Sequence, residues 1–338
     1  MMSSFLRRHT FLLLTLLIFA LAAFARAGAL KNYVTPDEPV WVLRSLNFSQ
    51  ALARGDWAAT AQMGHPGVTT MWLGSLGIAV KRAVDPIAST DAITWLSGLP
   101  SLAPENAEAF KRLGVFLTFA RLPVIVVNAL GVVMAVWLLR RLFDQRVAII
   151  GGLFLAVDPF VAGLSGLLHV DGLLTTFMLL SVLALLIGIR DQGLGLRWFA
   201  LSGVLAALAF LSKSPALFLL PFTLLTLFAA VLTRSLSLKR AVLGFLSFVI
   251  VYLSLFIVLY PAMWVDAVGT FNGIVGLAAF LSANPVRPTF FEGQYVLNHG
   301  AAFYPTALIY RLTPVVMIGL IVAVAAVIIN ARTTAAHV

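Results

Sequence analysis

The chain has 338 residues, 61% of them hydrophobic and 11% charged, with a formal net charge of +10 and no cysteine. Its mean hydropathy of +1.01 is far above what a soluble core requires, and the charged share is under half of the usual roughly 25%. This sets aside a soluble globule, disulfides and thiolate metal sites. It also sets aside nucleic acid, because the basic residues lie between apolar runs rather than in one patch.

Repeated apolar runs near the ~20 residues needed to cross ~30 Å of hydrocarbon predict an all-α polytopic integral membrane protein. About eight spans follow in chain order: Leu6–Phe24, Leu113–Leu139, Val147–Gly163, Gly172–Ile189, Trp198–Leu211, Pro215–Leu232, Ala241–Tyr260 and Thr306–Ile329. The first also fits a cleavable signal peptide, with Arg7 and Arg8 ahead of the apolar stretch and Ala23-Phe24-Ala25 as a small-residue site. Either way, the residues after it emerge on the same side.

Basic residues set the orientation. With a cytoplasmic N-terminus, the inner side collects Arg7, Arg8, Arg140, Arg141, Arg146, Arg190, Arg197, Arg234, Lys239, Arg240 and Arg332, as the positive-inside rule asks. Two long segments then lie outside, about 25–112 and about 261–305. The apolar stretch Val68–Val80 is too short to cross and reads as an interfacial or re-entrant helix. A second interfacial helix is expected over Val40–Arg54, with Trp41 and Phe48 as anchors. Pro36 and Pro39 interrupt the backbone before it, and Asp37 and Glu38 stand where a helix N-terminus welcomes carboxylates.

This topology puts Asp37, Glu38 and His65 in the first outer loop. His169 and Asp171 lie between spans three and four, and Lys213 between five and six. Asp266, Arg287, Glu292 and His299 fall in the last outer loop. Ionisable groups gathered at one membrane boundary suggest a catalytic surface, whereas a transport pathway wants them near the midplane. Each also has a plain structural reading. Asp37-Glu38 suits a solvated helix start, and His65-Pro66-Gly67 a turn. Asp158, His169 and Asp171 suit helix caps, and Lys213 a snorkelling cation. Lys213 on the non-cytoplasmic side nevertheless opposes the charge rule and is better explained by an anionic partner.

The order of these features resembles the GT-C glycosyltransferases, specifically the protein O-mannosyltransferase and aminoarabinose-transferase branch. The residues that carry the resemblance are Pro36-Asp37-Glu38, His65-Pro66-Gly67, Leu168-His169-Val170-Asp171, Ala209-Phe210-Leu211-Ser212-Lys213-Ser214-Pro215, Tyr260-Pro261-Ala262-Met263-Trp264 and Arg311-Leu312-Thr313-Pro314. One departure is Gly67, where the mannosyltransferase pattern has a second proline. The resemblance implies a GT-C-like bundle forming one domain over 1–338. Relatives of this branch often carry further spans, which implies a chain that ends short of a longer protein.

It also implies transfer of a sugar from a polyprenyl-phosphate donor to a protein, lipid or glycan acceptor. The transfer would invert the anomeric centre on the outer face of a membrane such as the bacterial inner membrane. Asp37 would be the general base, worth ~10²–10⁴-fold. Lys213, then Arg287, would face the departing phosphate, where negative charge develops. Glu38 and His65 would help bind substrate, and His169 and Asp171 would orient the sugar, support Lys213 or ligate a divalent cation. Two rival classes are a secondary transporter and a non-catalytic lipid-binding subunit. The first predicts an internal repeat and polar mid-membrane helices, and the second tolerates loss of Asp37.

Overall fold

The computed structural model describes residues 2–28, 30–31, 33–62, 65–99, 101–191, 196–283, 288–297 and 300–336. They fall into two compact units, Met1–Val157 with Val161–Ala279, and Asp158–Phe160 with Phe280–Val338.

The first unit follows the apolar runs. Helix α1 spans Met2–Ala27, and the first loop folds into α2 (Glu38–Arg54), α3 (Val68–Val84) and α4 (Pro86–Ser97). Next come α5 (Ala107–Leu142), α6 (Gln145–Val157) and α7 (Pro159–Ser165). The last two meet at 61°, because Pro159 lacks an N–H and its ring cannot continue the helix. Helices α8 (Val170–Arg190), α9 (Arg197–Ser212), α10 (Leu219–Leu232), α11 (Leu238–Leu259), α12 (Ala262–Val265) and α13 (Ala267–Ala283) complete the series.

Among the described residues, five helices are long and apolar enough to cross a membrane, or six if the bent α6–α7 pair is one span. The expectation of about eight is therefore only partly met. Helix α9, expected as the fifth span, has 16 residues and a rise of ~24 Å, short of a full crossing. The expected eighth span divides into α14 (Phe303–Arg311) and α15 (Pro314–Ala336), with Leu312 turned extended two residues ahead of Pro314. Helix α13, apolar over Ala267–Leu277, was not foreseen in the last outer loop.

Helix α5 is the hub, packing against α1, α3, α6 and α8, while α9 packs against α8 and α11. Phe116, Phe210, Phe248, Tyr252, Phe256 and Tyr260 dominate the largest core cluster. Polar pins run through it. The Asn128 amide donates to the carbonyls of Val124 and Ser165 and accepts from the Thr176 hydroxyl, tying α5, α7 and α8 together. Ser181 and Ser202 join α8 to α9 by 2.9–3.0 Å bonds. The buried Arg26 guanidinium donates to the carbonyls of Leu155 and Ala156, where the break after α6 leaves them without helical partners.

The first loop docks through small residues. A Cβ on Gly77 would lie 2.2 Å from the Phe119 carbonyl oxygen, so only glycine lets α3 lie this close to α5. Trp72 Nε1 then donates to the carbonyl of Leu259 at the end of α11.

Asp171 and Arg190 stand at opposite ends of α8, whose 21 residues rise ~30 Å. The Arg190 end is basic: Arg141 Nη2 meets Asp191 at 2.6 Å, Arg240 donates to the Asp191 carbonyl, and Arg140 lies 4.0 Å over the Phe11 ring.

In the second unit, strands Thr289–Phe291 and Gln294–Val296 form an antiparallel hairpin where a plain loop was expected. Its two turn residues, Glu292 and Gly293, both have positive φ (50° and 84°), which matches the twist of a tight hairpin.

Candidate active site

The adjacent acids Asp37 and Glu38 have opposite fates. Glu38 is fully buried and its carboxylate is saturated. Arg121 of α5 grips it from two nitrogens, Nε to Oε1 at 2.7 Å and Nη2 to Oε2 at 2.6 Å. The Thr35 N–H and hydroxyl and the Leu168 N–H also donate to it, and Arg121 donates on to the Tyr33 carbonyl. Burial alone would raise the Glu38 pKa. The Arg121 bond and the backbone donors outweigh it and hold the carboxyl below its usual range. Saturation leaves this carboxylate to position three segments rather than to meet a substrate. Arg121 itself sits inside an expected span and was not singled out from the sequence. A lone arginine in an apolar run was the available signal, since it must find a partner.

Asp37 precedes α2 at the N-cap position, yet its side chain makes no capping bond there and is 72% exposed. Its Oδ2 lies 3.3 Å from His169 Nε2. His169 caps α8, with Nδ1 accepting the Asp171 N–H at 3.4 Å. The same Nδ1 lies 3.4 Å from Asp171 Oδ2. Asp171 Oδ1 in turn accepts from Lys213 Nζ at 2.9 Å. Lys213 follows the end of α9 in extended conformation, before a 3-10 turn over Ser214–Phe218. A line therefore runs Asp37, His169, Asp171, Lys213.

His65 closes this group from the first loop, with Nδ1 3.5 Å from the Ser214 hydroxyl. Burial, then the charges of Lys213 and Arg44, lower the His65 pKa, and Asp171 opposes them. The ring is therefore neutral near neutral pH. Gly67 holds the loop in place through a bond from its N–H to the Ser212 carbonyl at 3.2 Å. Its φ is +58°, and a Cβ there would lie 2.3 Å from the Trp41 ring. Neither proline nor a residue with a side chain fits, which explains the departure from the second proline.

Arg44 also faces this group and was not anticipated. It is half-buried, 4.7 Å over the Trp41 ring, whose edge meets His169 at 6.4 Å between centroids. Burial lowers its pKa and the charge of Asp37 opposes that. The readable signal was helical spacing, because Asp37, Trp41 and Arg44 recur at i, i+4 and i+7.

Beside Asp37 lies a mostly apolar groove of about 350 Å³, lined by Pro36, Pro39, Val42, Phe110, Leu113 and Leu117 among others. Asp266 caps α13, its Oδ1 accepting the Gly269 N–H at 2.8 Å. Glu292 belongs to the second unit, and Arg287 and His299 lie outside the described residues. Among the described residues no group of three His, Asp or Glu side chains is arranged to hold a metal ion. The Lys213 ammonium already neutralises Asp171, so the donors present do not suit a divalent cation.

Residues 107–264 match the family model described as dolichyl-phosphate-mannose-protein mannosyltransferase. Over this stretch, a little under half of its length, the chain is similar to that mannosyltransferase family. The apolar helices mark an integral membrane protein. The matched stretch contains Arg121, His169, Asp171 and Lys213 and leaves Asp37, Glu38, Arg44 and His65 outside it. No curated protein sequence matches the chain.

Proposed function

We propose that the protein transfers a sugar from a polyprenyl-phosphate donor to an acceptor hydroxyl at the non-cytoplasmic face of its membrane, inverting the anomeric centre. The observation that carries this reading is the Asp37–His169–Asp171–Lys213 line, which assembles an exposed carboxylate and a cation from three distant segments. Asp37 is the general base. It takes the acceptor proton as the acceptor oxygen bonds to the anomeric carbon and the bond from that carbon to the phosphate oxygen breaks. The electron pair leaves with the phosphate, and Lys213 offsets the charge that develops there. His169 orients Asp37, and Asp171 holds Lys213. Glu38 and Arg121 fix the turn that presents Asp37, so Glu38 is a positioning residue.

The test is sugar transfer by the purified chain from a panel of polyprenyl-phosphate sugars, with Asp37→Asn as the control. Turnover should fall by at least ~100-fold in the variant while donor affinity survives, because the lost group acts in proton transfer. Near-normal turnover in Asp37→Asn would remove Asp37 from the mechanism. Absence of transfer by the wild type from every donor would remove the transferase.

A further inference from the structure

The guanidinium of Arg44 is the strongest unassigned group at this end of the molecule. Among the described residues it has no hydrogen-bond or ion-pair partner, although every other cation of the constellation is matched to an acid. It contacts the Trp41 ring, 4.7 Å from Cζ, and the charge of Asp37 acts on it from the start of the same helix. The ring is rigidly held in its own right. Trp41 is 5% exposed and its ring fills the space above Gly67, so Arg44 is held on a fixed wall rather than on a loose loop.

The position of that wall matters. Two residues before Gly67 stands His65, against Ser214, which is the neighbour of Lys213 in the chain. Gly67 N–H bonds the Ser212 carbonyl beside Lys213 and Gly67 packs under the Trp41 ring that Arg44 covers, so the two cations reach the His65 loop from α2 and from the end of α9. Two cations flanking a neutral ring make a favourable place for an anion. One is a point charge and the other a planar fork, a pairing suited to a tetrahedral oxyanion.

We propose that Arg44 is a second phosphate-binding residue, which acts with Lys213 on the lipid-linked phosphate; this rests on the glycosyltransferase reading above. The donor phosphodiester carries one negative charge and the product monoester approaches two near neutral pH. A fork that meets the phosphate oxygens therefore binds product and transition state more strongly than donor.

Binding of a polyprenyl monophosphate, and of the uncharged polyprenol as control, can be measured on the full chain in nanodiscs for wild type, Arg44→Gln and Arg44→Lys. Arg44→Gln should bind the monophosphate roughly ten- to a hundredfold more weakly while polyprenol binding is unchanged. Equal polyprenol binding also reports an intact fold. Arg44→Lys should lie between, since it keeps charge and loses the fork. In the transfer assay Arg44→Gln should lower kcat as well as kcat/KM. Unchanged monophosphate affinity in Arg44→Gln overturns the proposal even if the wild type transfers sugar. Loss of monophosphate affinity in Arg44→Gln, with no transfer from any donor by the wild type, supports the phosphate site and overturns the transferase reading.

Discussion

Asp37 and Glu38 are neighbours in sequence with the same chemistry, yet they head two regions that obey different rules. Below the start of α2, Glu38 and Arg121 form an ion pair closed off from solvent, with every oxygen of the carboxylate engaged. Above it, Asp37, His169, Asp171 and Lys213 form a line of pairs at 2.9–3.4 Å, each partly open. The lower region has no capacity left for a ligand. The upper one keeps lone pairs and protons that a substrate can claim. Stability is concentrated in one, and the proposed chemistry draws on the other, where the groups stay incompletely satisfied.

The largest effect should separate the two regions outright. Glu38→Gln leaves the Arg121 charge buried without its counter-ion and should cost about 3–5 kcal/mol. Asp37→Asn, on an exposed side chain, should stay within about 0.5 kcal/mol. Denaturant unfolding in a fixed detergent compares them, and equal losses would dissolve the distinction. A second experiment sharpens the upper region. Lys213→Ala should weaken donor binding and turnover together, each by roughly tenfold or more, because a cation facing phosphate acts in both ground and transition states. Donor titration and single-turnover rates distinguish this from Asp37→Asn, where binding is spared.

The smallest effect concerns pH. The His65 pKa is lowered in the folded protein by burial and by Lys213 and Arg44. Below the unfolded value of about 6.5 the unfolded chain therefore binds the proton first, and stability falls as pH drops from there toward the folded pKa. Above that window His65 contributes nothing. His65→Gln should flatten this part of the curve of apparent unfolding midpoint against pH, and an unchanged slope would reassign it to other groups.

Much of this division was hidden in the sequence for definite reasons. Membrane character, the principal apolar runs and the gathering of Asp37, His65, Asp171 and Lys213 at one end were legible, because hydropathy and basic loops report them directly. The different fates of Asp37 and Glu38 were not. A carboxylate's environment depends on the direction in which α2 starts, and the partner lies 83 residues away in another helix. Arg121 was readable as an unmatched charge inside the expected span Leu113–Leu139. Arg44 needed the helical face of Asp37 and Trp41 to be drawn first. The hairpin and α13 escaped because short apolar stretches in a long loop give weak periodic signals. The split between α14 and α15 turns on Pro314, whose restriction of the residue before it was there to be read.

The reach of Glu38 has a temporal consequence during synthesis. Its carboxylate waits for Arg121, and then for the Leu168 amide 130 residues downstream. Lys213 arrives later still. A nascent chain carrying only α1 to α4 thus holds an unmatched acid at the membrane boundary and no working site. The Asp37–His169–Asp171–Lys213 line is complete only once α8 and α9 have been made and the first loop can close on them. Contacts of this span form late and slowly.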